Sequence, residues 1–237
     1  YPPFDNPDAR RAMLWLVDQE HYLQAVIGNP EYYRTCPAFF GCGTPLESEV
    51  GAMPLMNQDI DKARALFESA GYDGSPVVLL QSTDIPILNG AALVTAQLLR
   101  KAGVQVELQA MDWSTLTSRR AVTDPPGQGG WNIFLTWWSS ADVLNPITNI
   151  GVSGGCREKA WFGWPCDKEI ERLRDQFARA TDPDKQRKLA EQVQKRAYEL
   201  VTYVNFGEFK TPVAYNTALK GLLVSPVYPF LWNVEKQ

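Results

Sequence analysis

Residues 136–142 read Thr-Trp-Trp-Ser-Ser-Ala-Asp and bring two indole rings, two hydroxyls and one carboxylate into a single short segment. Indoles offer rigid apolar contact at low entropic cost, and a carboxylate beside them selects a cation such as a peptide amino terminus. Recognition of a small solute is the chemistry this set could do. Neighbours on a strand face opposite sides, so only one of Trp137 and Trp138 need face a cleft while the other is core. Core packing is favoured for Trp137; Trp138, nearer the loop, is balanced between the two roles. Asp142 either recognises a ligand or caps the turn at Asn145 and Pro146. Ser139 and Ser140 either satisfy loop amides or meet a ligand's backbone.

Catalytic sets are poorly supplied. His21 is the one histidine; it falls on a helical pattern and reads as a helix surface residue. A serine or cysteine triad needs an imidazole base or a substitute for it. The chain holds no G-x-S-x-G elbow, H-E-x-x-H pair, P-loop or G-x-G-x-x-G run. Glu169 and Glu171 are two positions apart and diverge around a helix instead of pairing. No enzyme activity, no metal and no cofactor is expected.

The four cysteines form two locally closed pairs, in CPAFFGC and CREKAWFGWPC. An even count in clustered loops fits the disulfides Cys36–Cys42 and Cys156–Cys166 and an oxidising compartment. Free cytosolic thiols are the alternative; zinc is disfavoured, because neither spacing is the short knuckle that zinc sites use. Trp161 and Trp164 share the second loop, where both cannot be deeply buried without another surface, which points to an interface or a cleft rim. A net charge of −4 argues against nucleic acid or anionic lipid as partner. No stretch approaches the roughly 18 apolar residues of a membrane span, and residues 1–11 lack the apolar centre of a signal peptide.

The elements that must position these residues follow from periodicity and punctuation. Residues 6–27 read as one amphipathic helix, capped at Asn6 or Asp5 and stopped by Gly28 and Pro30. A long loop covers 29–57, restrained by a disulfide, and a helix runs from about Asp59 to Ala70 with Gly71 as its stop. Strands are expected over 75–83, 104–112 and 131–138, alternating with helices over 87–103 and 113–122. That order predicts an α/β fold with crossover helices, in which ligands meet the carboxyl ends of strands. Trp113 is read chiefly as helix-to-sheet packing and secondarily as a second aromatic wall; Asp84 chiefly stabilises a turn. Two charged helices follow at 166–181 and 183–200, the second capped by Thr181 or Asp182, and strand-like pieces at 201–209 and 219–232 close the chain.

Taken together and in order, several segments resemble one family. They are PPFDNPDARRAMLWLVDQEHYLQAVIG, NQDIDKARALFESAGY, AQLLRKAGVQVELQAMDW, TWWSSADVLNP and IERLRDQFARATDPDKQRKLAEQVQKRAYEL. The chain is similar to extracytoplasmic solute-binding proteins of peptide-type ABC transporters, the dipeptide and oligopeptide class. The resemblance implies a periplasmic-binding-protein-like lobe of class II type, with a mixed sheet flanked by helices. Residues 1–237 would be the second, C-terminal lobe of a two-lobe protein, without the first lobe. It implies a small solute of the peptide class as ligand, with an ABC permease and the protein's own N-terminal lobe as partners, in the periplasm or at the cell-envelope exterior. Trp137, Trp138, Ser139, Asp142 and Asn145 are the implied ligand-binding residues, Asp142 resembling the residue that meets a peptide's ammonium group in dipeptide-binding members. An alternative is an interaction or sensor module that presents its aromatic loops to a protein partner. A flat apolar patch at Trp161 and Trp164 would favour that module, and a cleft with converging polar groups would favour transport.

Overall fold

The computed structural model describes residues 1–223, 225 and 229–236, except for the side chain of Glu158. Two helices open the chain where one was expected. α1 (Pro7–Trp15) begins at Asn6, whose side chain accepts the Asp8 amide. α2 (Gln19–Val26) begins afresh at Asp18, whose carboxylate accepts the His21 amide at 3.0 Å. The break has a tertiary cause. The carbonyls of Trp15 and Leu16 accept from the Asp59 amide (2.9 Å) and from Gln58 Nε2 (2.7 Å), so a distant segment satisfies the end of α1 in place of a further helical turn.

β1 (Tyr33–Arg34) follows, and then the Cys36–Cys42 disulfide. In the loop that spans residues 29–57, buried side-chain amides do the work of a ladder. Gln19 Oε1 accepts the Cys36 amide at 2.8 Å and its Nε2 donates to the Cys36 carbonyl at 3.1 Å. Gln194 Oε1 accepts the Phe39 amide at 3.0 Å, while its Nε2 donates to the carbonyls of Ser48 (2.6 Å) and Val50 (3.1 Å). Both glutamines are fully buried. Gln194→Leu keeps the bulk and leaves an amide and two carbonyls unpaired. A loss of about 2–4 kcal/mol in urea unfolding is expected; an unchanged midpoint would argue that the clamp contributes nothing.

α3 (Ile60–Ser69), capped by Asp59, leads through β2 (Val77–Ser82), α4 (Pro86–Lys101), β3 (Val106–Met111), α5 (Trp113–Arg119) and β4 (Ile133–Phe134). β2 lies between β3 and β4 and is parallel to both. Its position explains its composition: Val77 and Leu79 join the main core, while Val78 and Leu80 pack with Leu116 of α5 on the opposite face. A strand covered on both faces needs no polar alternation. Parallel pairing also sets the carboxyl ends of β2 and β4 on one edge.

β4 is shorter than the strand expected over 131–138, because its pairing with β2 stops at Phe134. Beyond that point Trp137 packs on Trp113, and Trp138 on Trp161 and Tyr203. Ring packing therefore directs Trp137 and Trp138, and strand alternation no longer decides which indole points where.

α6 (Cys156–Lys159), α7 (Lys168–Arg179) and α8 (Pro183–Leu200) come next. Asp182 caps α8, and Asp167 caps α7 while pairing with Arg196 of α8 at 2.6 Å. The Arg196 hydrogen bond holds the Asp167 carboxyl below the usual carboxylate range. A depressed carboxylate stabilises the fold above its unfolded pKa of about 3.9, and that contribution is lost as pH falls through the lower folded value. Asp167→Asn retains a capping oxygen and removes the charge. It is expected to cost about 1–2 kcal/mol at pH 7, with the gap to wild type closing below about pH 4 in thermal unfolding; a gap that ignores pH would contradict the pairing.

β5 (Glu208–Phe209), β6 (Leu219–Lys220) and β7 (Glu235–Lys236) are short; β1 pairs antiparallel with β5, and β6 with β7. These ladders add antiparallel pairing to an α/β chain whose central sheet is parallel. The strand expected over 201–209 shrinks to β5. Upstream of it Asn205 holds the backbone by donating to the carbonyls of Cys36 (2.8 Å) and Ala38 (3.2 Å). Positions 224 and 226–228, within the strand-like piece expected over 219–232, lie outside the described residues. Among the described residues no helix is long and apolar enough to cross a membrane.

Candidate functional site

A cavity of about 1850 Å³ opens beside the carboxyl ends of β2 and β4. Its wall includes residues 85–88 at the start of α4, 131–140 along and after β4, 161–166 of the second disulfide loop, and 200–211 after α8. The Cys156–Cys166 bond is formed, so the loop that carries Trp161, Phe162 and Trp164 is anchored at both ends. Trp161 and Trp164 are half-buried in this concave wall and do not form a flat outward patch.

Aromatic rings run along the wall in contact with one another. Phe39 stacks on Tyr203 at 4.5 Å, Tyr203 meets Trp138 at 5.5 Å, and Trp138 meets Trp161 at 4.7 Å between ring centres. Trp161 continues to Phe134 (5.3 Å), Phe134 to Trp131 (5.0 Å) and Trp131 to Trp164 (5.8 Å). Gly151 is required by this packing: a Cβ there would lie 2.8 Å from Trp138 Cη2 and 2.8 Å from Tyr203 Cε1. Burial pushes the Tyr203 hydroxyl far above its ordinary pKa, so it stays protonated, and it accepts from Asn149 Nδ2 at 3.1 Å.

The structure brings Trp137, Trp138 and Ser139 into this wall, together with Ser140. Their burial reverses the order favoured from the alternation. Trp137 is 41% exposed and stacks on Trp113 at 5.7 Å, whereas Trp138 is half-buried among the wall rings. Trp113 backs Trp137 and packs against the core. Ser139 Oγ accepts the Ala141 amide at 3.3 Å, which caps the short turn Ser140–Val143. Asp142 lies exposed on that turn, between the wall residues Ser140 and Val143, and does not itself line the cavity. Asn145 does not line it either; its Oδ1 accepts the amides of Ile147 (2.9 Å) and Thr148 (3.1 Å). Asp84 stabilises a turn, accepting from Ser82 Oγ (2.8 Å) and the Trp113 amide (2.9 Å).

Sequence reasoning missed Tyr203, Phe134, Phe162, Trp131 and Arg120. The guanidinium carbon of Arg120 lies 4.6 Å from the ring centre of Phe162, 5.4 Å from Trp161, 5.7 Å from Trp113 and 5.8 Å from Phe134. The only signal in the sequence was a doubled arginine after a short helix, which a solvated face explains equally well.

Groups with catalytic or metal-binding potential have other duties. His21 is exposed, 3.6 Å from Asp18, and outside the cavity wall. Glu169 pairs with Arg172 and Glu171 with Arg174. Cys36, Cys42 and Glu208 cluster within 4.8 Å, but the two sulfurs are bonded to each other and are not free to ligate.

Residues 1–161 match the model of the bacterial extracellular solute-binding proteins, family 5 Middle. The chain is 38% identical over 235 residues to the "Probable peptide ABC transporter periplasmic-binding protein" of Sinorhizobium fredii, covering 99% of this chain and 44% of that relative. Among solved structures it is similar to a dipeptide binding protein from Pseudoalteromonas sp. in complex with Met-Leu, with TM-score 0.79 and 19% identity over 100% of this chain and 46% of the other. It is also similar to the ABC transporter substrate binding protein CtaP from Listeria monocytogenes, with TM-score 0.76 and 18% identity over 88% of this chain and 41% of the other. The chain thus spans less than half the length of each of these proteins.

Proposed function

Because the chain belongs to the bacterial extracellular solute-binding proteins of family 5, we propose that residues 1–237 form the second, C-terminal lobe of a two-lobe protein that captures a small solute for an ABC importer. The solute is a peptide or a compound of similar size, and the place of capture is the periplasm or the cell-envelope exterior. The observation that carries this proposal is the concave aromatic wall at the carboxyl ends of parallel strands, where α/β folds bind ligands.

The mechanism is closure. A solute that contacts both lobes favours the closed state by its differential affinity for it, and a permease then reads closure as occupancy. Trp138 and its neighbouring rings supply apolar contact from this lobe, while Trp137 and Ser139 flank them. Asp142, on the turn beyond Ser139, and Asn145, at the start of the next turn, lie where a solute or the facing lobe meets them on closure. No residue of the chain is assigned a catalytic role.

The test is calorimetric binding of a mixed di- and tripeptide library to the chain joined to its first lobe, with Asp142→Ala as one control. Saturable binding supports peptide capture, and weakening by Asp142→Ala adds an ammonium contact. No heat from folded, ligand-free protein would exclude peptides as the solute.

A further inference from the structure

We propose that Arg120 sets the charge preference of the aromatic wall, favouring solutes that present an anionic group beside an apolar or aromatic body and disfavouring those that present an ammonium group there. This rests on the capture of a peptide-sized solute proposed above and names the class of solute within it.

Arg120 is a half-buried cation. It makes no ion pair among the described residues, and its Nε is buried with no hydrogen-bond partner. Burial alone lowers its proton affinity, yet a guanidinium remains charged in proteins. What compensates it is the negative faces of Trp113, Phe134, Trp161 and Phe162. The residue is also held in place: its carbonyl accepts from Trp131 Nε1 at 3.1 Å at the end of α5.

Three of the four rings also line the cavity: Phe134, Trp161 and Phe162. An aromatic wall normally attracts ammonium groups through its ring faces. Here those rings already face a cation, and a second one arriving from the cavity meets its repulsion through low-dielectric material. At a separation of two ring contacts that repulsion amounts to about a tenfold penalty for a unit positive charge and a similar gain for a negative one.

The remaining charges of the wall point the same way. Among the described residues its carboxylates are Asp5 and Glu208. Glu208 pairs with Arg34 at 2.6 Å and accepts the Cys42 amide, and Asp5 acts on Arg10. Arg157, on the disulfide loop that carries Trp161, and Lys210 line the cavity with no ion pair among the described residues.

The experiment compares three probes by calorimetry on the full protein, this chain with the first lobe proposed above. They are acetyl-Phe-Phe, which carries only a carboxylate, Phe-Phe-amide, which carries only an ammonium group, and neutral acetyl-Phe-Phe-amide. The wild-type protein is expected to bind acetyl-Phe-Phe at least about tenfold more tightly than Phe-Phe-amide. Arg120→Met should remove most of that ratio and Arg120→Lys should keep it. The ratio within one variant does not depend on the fraction folded, so a purely structural role would leave it unchanged. Equal binding of the two charged probes, a preference for Phe-Phe-amide, or a ratio that survives Arg120→Met overturns the proposal and leaves solute capture standing. Binding of none of the probes overturns it together with peptide capture.

Discussion

Trp138→Ala is expected to weaken solute binding to the two-lobe protein by roughly 30- to 1000-fold, the range that loss of an aromatic anchor of about 2–4 kcal/mol implies. Trp138 touches Trp161 and Tyr203 and closes over Gly151, so its ring is pre-positioned and a ligand need not order it. Pre-positioning is what makes an indole effective, because little rotamer entropy remains to be lost on binding. Trp137 has one ring partner among the described residues and is 41% exposed, so Trp137→Ala should cost under about tenfold. Trp138→Phe separates binding from folding: it keeps a ring in the packing and should retain most stability while still losing affinity. Equal affinities for wild type and Trp138→Ala, with both folded, would remove Trp138 from the site.

The second large effect concerns the Cys156–Cys166 bond. Cys156→Ser with Cys166→Ser is expected to lower unfolding free energy by about 2–4 kcal/mol and to weaken solute binding as well. The loop between the two sulfurs carries Trp161, Phe162 and Trp164, all in the cavity wall. Cys156 and Trp164 are held at φ of 64° and 49°, a region that costs a side-chain-bearing residue about 1–2 kcal/mol. The crosslink, with the Cys156 amide donating to the Pro165 carbonyl at 3.1 Å, opposes the relaxation of both. Released, the loop should move its rings off Trp138 and Phe134, which tryptophan fluorescence would report alongside thermal unfolding. Binding that survives loss of the bond would mean that Trp161 and its neighbours contribute no contact.

What the sequence disclosed was local. Caps at Asp59 and Asp182 each rest on a side chain that bonds an amide three residues on, so helix starts could be read directly. The apolar run of β2 marked a strand, which the fold covers on both faces, and the spacing of the cysteines matched the bonds that form. What stayed hidden depends on distant partners. The break between α1 and α2 is set by Gln58 and Asp59, which donate to the carbonyls of Leu16 and Trp15 more than 40 positions earlier in the chain. Trp137, expected to be the more buried of the two indoles, is the more exposed, because β4 ends at Phe134 and the rings then follow Trp113 and Trp161. Arg120 gave no signal because its cage is gathered from α5, β4 and the disulfide loop, and Tyr203 gave none because Phe39 and Trp138 reach it only in the fold.

The measurement that bears most directly on the two-lobe account is calorimetric affinity for one solute, the tightest in the peptide library, on this chain alone and on the chain joined to its first lobe. The account predicts at least about 100-fold tighter binding by the joined protein, because only there can a solute gain contacts from both walls and favour closure. Equal affinity in the two forms would contradict it and would mean that the site is complete within this lobe.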